Sequence, residues 1–273
     1  MARLMARMEA IDSLLCVGLD SGLERLPERY HASATPQLDF NLALIEQTHA
    51  YAAAYKLNTA FYEARGAAGW DELARTVEHL RAQHPEVITI CDAKRGDIGA
   101  TNEAYARAIF DELGFDAVTM QPYPGADAMR PFLDRAERAC IVLCRTSDPG
   151  AEELQELRCG DEALWEVVAR HVRDTWDRHG NCMLVVGATH PDQLRRARRI
   201  CPTMTFLVPG VGAQGGSVEE VMRAGVDSDG RGLLINASRS VAFAADPAAA
   251  ARELRDAIRR GRDAALLDPR LLS

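Results

Sequence analysis

The chain has 273 residues, 47% of them hydrophobic and 26% charged, a balance that lets a globular protein bury about three quarters of its unfolded surface without disulfide or metal staples. Its formal charge of −8 counts against nucleic acid as a partner, since that binding is driven by Lys and Arg on phosphates, and favours a small-molecule substrate. Seven cysteines without a Cys-x-x-Cys pair argue against a disulfide framework or a zinc site and for reduced thiols in a cytoplasmic protein.

At the start of the chain, MARLMARMEAIDSL (1–14) spaces its apolar residues as an amphipathic helix does and lacks the continuous apolar run of a signal peptide. No segment approaches the roughly 18 apolar residues of a membrane span. LLCVGLD (14–20) then opens a series of short apolar runs. It is followed by YAAAYKLN (51–58), VITICDAK (87–94), AVTMQPY (117–123), ACIVLCRTS (139–147), CMLVVGA (182–188), TFLVPGV (205–211) and GLLINAS (232–238), eight in all. Each is apolar on both alternating faces, as parallel strands covered by helices are.

The intervening segments carry helical spacing. Over 70–84, Leu73, Val77 and Leu80 share a face, and a helix over 163–178 is stopped by Gly180. Ser217 with Glu220 reads as a capping box, and Pro247 opens a last helix running to about Gly261. This alternation predicts an α/β protein, a (β/α)₈ TIM barrel, with residues 1–273 forming a single barrel domain behind a short N-terminal helix. An open doubly wound sheet is the runner-up, because periodicity does not report closure.

Polar residues gather at the predicted C-terminal strand ends: Asp20, Lys56, Asp92, Lys94, Ser147 and Ser238. In barrels that rim builds the active site. Asp92-Ala-Lys94-Arg-Gly-Asp97 is the sharpest signal. Side chains two apart on a strand point the same way, so Asp92 and Lys94 are expected to face the barrel mouth together, with Asp97 in the loop beyond. Isolated, such a pair is an ordinary surface ion pair; with Lys56 and Asp20 on the two preceding strands, charges from three strands converge. An ammonium flanked by carboxylates stays charged, which suits Lys94 to general acid work and not to Schiff-base formation.

A second signal lies in the glycine-rich 209–217, containing Gln214 and Ser217, together with Asn236-Ala-Ser238-Arg239-Ser240. Glycines bare backbone N–H groups, a helix start adds positive dipole and Arg239 can grip phosphate with its planar fork, so loops seven and eight read as a phosphate site. Ser147 is a rim contact for substrate or part of a turn. Thr101 reads first as a helix cap and second as a ligand hydroxyl. The seven histidines form no spaced cluster, so no metal ligand is assigned.

The motifs V-G-L-D (17–20), Y-K-L-N (55–58) with F-Y-E following, D-A-K-R-G-D-I-G-A-T (92–101), P-Y-P-G-A-D (122–127), T-S-D-P-G-A (146–151), P-G-V-G-A-Q-G-G (209–216) and N-A-S-R (236–239) resemble, over the whole chain, those of the orotidine 5′-phosphate decarboxylase family and within it the bacterial type 2 branch. The resemblance implies decarboxylation of orotidine 5′-monophosphate (OMP) to uridine 5′-monophosphate (UMP) and CO₂, the last step of de novo UMP synthesis, with no cofactor. It implies a catalytic set of Lys56, Asp92, Lys94 and Asp97. Asp20, Thr101, Ser147, Gln214 and Arg239 would bind substrate: Asp20 and Thr101 the ribose, Ser147 the pyrimidine, Gln214 and Arg239 the phosphate. It further implies a homodimer in which Asp97 and Thr101 serve the partner's site. Gln121 stands where the family pattern has Asn. A related barrel class that stabilises an enediolate on Mg²⁺ is the competing enzyme reading; it calls for extra carboxylates, and Lys56 would repel the ion. A silent barrel that only binds nucleotide phosphate is the non-enzyme alternative, and it has no use for the Lys and Asp cluster.

Overall fold

The computed structural model describes residues 1–211 and 216–267. Eight strands form a closed barrel of parallel neighbours: β1 (Leu15–Gly18), β2 (Ala54–Asn58), β3 (Ile88–Arg95), β4 (Ala117–Met120), β5 (Ala139–Arg145), β6 (Cys182–Val186), β7 (Phe206–Pro209) and β8 (Leu233–Ala237), with β8 hydrogen-bonded back to β1. Closure removes the open-sheet alternative. Seven strands fall inside the apolar runs and β3 passes its run by one residue, Arg95; the runs are apolar because both strand faces are covered, with every residue of β1, β4, β6 and β8 buried.

The principal helices are α1 (Ala2–Ile11), α2 (Pro36–Thr48), α3 (Gly66–Gln83), α4 (Gly99–Ala106), α5 (Ala126–Leu133), α6 (Leu164–His171), α7 (Pro191–Ile200), α8 (Val218–Gly225) and α9 (Pro247–Leu266). In α3, Leu73, Val77 and Leu80 are the buried stripe the spacing predicts. None of the described helices is long and apolar enough to cross a membrane. The helix α1 lies across the N-terminal end of the barrel. It buries Leu4 and Met8, Arg3 pairs with Asp116, and Arg7 Nη2 donates to the His49 carbonyl at 2.6 Å.

Two helix boundaries differ from expectation. The helix expected over 163–178 changes after α6 to π-helical winding over Val172–Trp176, while Gly180 does take a positive φ of 63°. The last helix runs through Gly261 to Leu266. Gly261 is a packing residue there and not a stop, since a Cβ on it would come within 3.0 Å of Met222 Cγ on α8. Ser217 caps α8, accepting the Glu220 N–H at 3.4 Å, which is one half of the capping box expected there.

The registers level the polar strand ends. Gly18 pairs with Lys56 across β1 and β2, and Asn58 with Asp92 across β2 and β3. The charged side chains therefore arrive on one rim.

Candidate active site

Lys56 reaches that rim almost wholly enclosed, with 6% of its side chain exposed. Its ammonium donates to Asp20 Oδ2 at 2.9 Å, Asp20 Oδ1 at 3.1 Å and Asp92 Oδ2 at 3.1 Å. Burial alone would lower the Lys56 pKa, but the charges of Asp20 and Asp92 outweigh it and hold it above the ordinary lysine value. Asp20 is fixed in turn by the Asn58 N–H at 2.9 Å and the Ser238 hydroxyl at 2.7 Å. Gly18 makes the space, because a Cβ there would lie 1.9 Å from Ser238 Oγ and 2.8 Å from Asp20 Oδ2.

Asp92 takes its second cation from Lys94, whose Nζ donates to Oδ1 at 2.7 Å, and a further hydrogen bond from Thr119 Oγ1 at 2.8 Å. Burial would raise the Asp92 pKa, but Lys56 and then Lys94 pull it down to about 2. Asp92 is thus a carboxylate throughout the physiological range, held between two ammonium groups.

Asp92 and Lys94 do face the cavity together, but not through simple strand alternation. Between Cys91, level with Val118, and Arg95, level with Met120, β3 carries an irregular insertion relative to β4, and Lys94 takes a left-handed φ of 46°. Its N–H is satisfied by Thr119 Oγ1 at 2.9 Å. One threonine hydroxyl thereby joins the backbone of Lys94 to the carboxylate of Asp92. Sequence reading missed Thr119; the inward alternation of β4 was the available signal.

These groups line a cavity of about 540 Å³, within the usual range for a small-molecule site. Asp20, Lys56, Asp92 and Lys94 form one side, Ser147 contributes from the loop after β5, and Pro209, Gly210, Val211, Ser238 and Arg239 come from the loops after β7 and β8. Lys94 is 44% exposed into this opening, unlike Lys56. A family model described as orotidine 5′-phosphate decarboxylase / HUMPS family matches residues 13–254. The chain belongs to the orotidine 5′-phosphate decarboxylase family.

The decarboxylase named from Roseiflexus castenholzii is 49% identical over 254 residues, covering 90% of this chain and 92% of that protein. Among solved structures, Leishmania donovani OMP decarboxylase superposes with a TM-score of 0.87 at 44% identity, covering 96% of this chain and 98% of that one. The L. donovani UMP synthase structure matches with a TM-score of 0.88 at 46% identity, and there the match covers 95% of this chain but 56% of the longer protein.

Of the residues that resemblance to the decarboxylase family singles out, Asp20, Lys56, Asp92, Lys94, Ser147 and Arg239 meet in the cavity. Asp97 and Thr101 do not line it. Asp97 lies past β3, its carboxylate accepting the Ile98 N–H at 2.7 Å and its backbone clasped by Asn102. Thr101 does not cap α4: Ile98 holds the N-cap position and Thr101 is an exposed residue of the first turn. Gln214 lies outside the described residues. Gln121, the departure from the family pattern, follows β4, and its N–H donates to the Arg95 carbonyl at 2.8 Å.

One grouping runs against the sequence reading. His79 and His84 come together with Glu46, and His49 packs on His84 with ring centroids 4.3 Å apart. The lysine held between two carboxylates of its own chain is likewise Lys56 rather than Lys94.

Proposed function

We propose that this cavity converts OMP to UMP and CO₂, with Lys94 as the ammonium that stabilises and then protonates C6 of the pyrimidine. The observation that carries the reading is the continuous alternation of Lys56, Asp92 and Lys94 at 2.7–3.1 Å, with Lys94 the member open to the cavity. Breaking the bond between C6 and the carboxylate carbon leaves the electron pair on C6. A fixed cation beside that carbon stabilises the developing charge without reorganisation, and its proton then neutralises it. Lys94 finishes neutral and regains its proton from water. The bond breaks heterolytically with no change of oxidant or reductant, so the reaction as written needs no cofactor.

Asp92 orients Lys94 and, with its charge retained, lies beside the position of the departing carboxylate. Lys56 makes the charge on Asp92 and Asp20 tolerable in a buried place. Asp20 serves the ribose hydroxyls, Ser147 the pyrimidine, and Arg239 with Gln214 the 5′-phosphate. Phosphate binding, remote from the reacting carbon, supplies energy that orders the site. Asp97 and Thr101 act in the site of a second copy within a homodimer. Their place outside the cavity of their own chain, beside Ile98 at 69% exposure, supports that arrangement. We further assign the chain to the bacterial type 2 branch on its motif set, and to the cytoplasm on its unpaired cysteines.

Turnover is the test. Purified protein is expected to abolish the ultraviolet absorbance band of OMP as UMP forms, equally with and without a chelator. Failure to turn OMP over, or a requirement for added Mg²⁺, would favour the phosphate-binding or enediolate alternative.

A further inference from the structure

We propose that Glu46, His79 and His84 form a binding site for a divalent transition-metal ion, Zn²⁺ foremost, on the face of the barrel opposite the cavity. Glu46 lies in the last turn of α2, His79 near the end of α3 and His84 directly after it. Helix ends in this fold lead into strand starts, so the cluster sits at the N-terminal end of β2 and β3, whereas the cavity opens at their C-terminal ends.

Glu46 accepts a long hydrogen bond from His84, and the spacing of the three ligand atoms also matches that around a bound metal. Glu46 Oε1 is 3.4 Å from His79 Nε2 and 3.3 Å from His84 Nε2. Good N–H···O bonds have donor–acceptor distances of about 2.9 Å. Neighbouring ligand atoms of a tetrahedral Zn²⁺, with bonds of about 2.0–2.1 Å to nitrogen and oxygen, are about 3.3 Å apart. One ligand atom from each of the three residues lies within 4.8 Å of the others, so rotation of the half-exposed His79 and the exposed Glu46 closes the third edge.

Two further observations point to an ion. His79 Nε2 is buried without a hydrogen-bond partner among the described residues. Around it are crowded imidazoles, His49 against His84 at 4.3 Å and His79 at 6.0 Å from His84. The guanidinium of Arg7 is engaged by Glu86 at 3.4 Å and by the carbonyls of His49 and Ala52. Two imidazoles and a carboxylate suit Zn²⁺ among available ions and leave a fourth position for water. An ion here fastens the ends of α2 and α3, the helices that feed the strands bearing Lys56, Asp92 and Lys94, and stabilises the fold by mass action.

The experiment uses the full chain without an affinity tag, stripped by chelator and titrated with Zn²⁺ by calorimetry, with Co²⁺ as the spectroscopic probe. The expected result is one ion per chain, visible tetrahedral Co²⁺ bands, and a melting temperature raised by about 5 °C at a hundredfold excess over Kd. Glu46→Gln and His79→Gln, at positions open enough to leave the fold intact, are each expected to weaken binding at least about tenfold. OMP turnover is expected to be unchanged in both. Absence of stoichiometric binding, or affinity undiminished in both variants, overturns the proposal.

Discussion

At Asp92 two ammonium groups meet one carboxylate, and the electrostatics of that meeting are measurable. Its folded pKa of about 2 lies below the reference value of 3.8. A depressed carboxylate pKa contributes stability that is complete above the unfolded value and is lost as pH falls through the folded one. Asp92 is therefore expected to contribute about 2 kcal/mol from neutrality down to about pH 4, decaying toward pH 2. Lys56 has the opposite sign: with its pKa raised, its contribution is complete below the ordinary lysine value and lost only in strong alkali. Denaturant midpoints followed from neutral to acid pH check this. The acid loss should shrink in Asp92→Asn, and an unchanged loss there would contradict the assignment. At this scale the sequence was legible wherever chemistry follows from residue type and strand end, as at Lys56 and Asp20. It was not legible at Thr119, an ordinary strand threonine until the fold sets it between Lys94 and Asp92.

The strand β3 brings Lys94 to the cavity by a left-handed residue inside an irregularity, and not by the flat alternation that its spacing suggests. A non-glycine residue at positive φ costs about 1 kcal/mol, which glycine avoids. Lys94→Gly is thus expected to be more stable than Lys94→Ala by about 1 kcal/mol in urea midpoints, despite the greater flexibility of glycine. The reverse order would mean that Lys94 does not hold that conformation. The eight strands themselves were readable because parallel strands buried on both faces are continuous apolar runs. Helix ends were less so: Gly261 has the residue type of a stop but serves as a close contact with Met222, and nothing in 163–178 announces π winding. The histidine cluster is assembled from two helix ends: His79 and His84 do stand at a zinc-ligand spacing, but nothing in the sequence joins them to Glu46 on the preceding helix.

For the whole molecule, the closed barrel accounts for why charges from β1, β2 and β3 share one rim with the glycine-rich and Arg239 loops. It leaves Asp97 and Thr101 outside the cavity, so the complete site is proposed to need a second copy. Mixing Asp97→Ala with Lys94→Ala protein tests this. Either variant alone is expected to be nearly inactive, and heterodimers to recover part of the activity, because one of their two sites combines an intact Lys94 with an intact Asp97. Demonstrated heterodimers without recovery would contradict the shared site. The central claim, that a cation at Lys94 performs the decarboxylation, is tested most directly by Lys94→Ala alone. Its OMP turnover is expected to fall at least about 10³-fold while UMP still binds through the phosphate and ribose contacts. Turnover at the level of the unaltered protein would contradict the account.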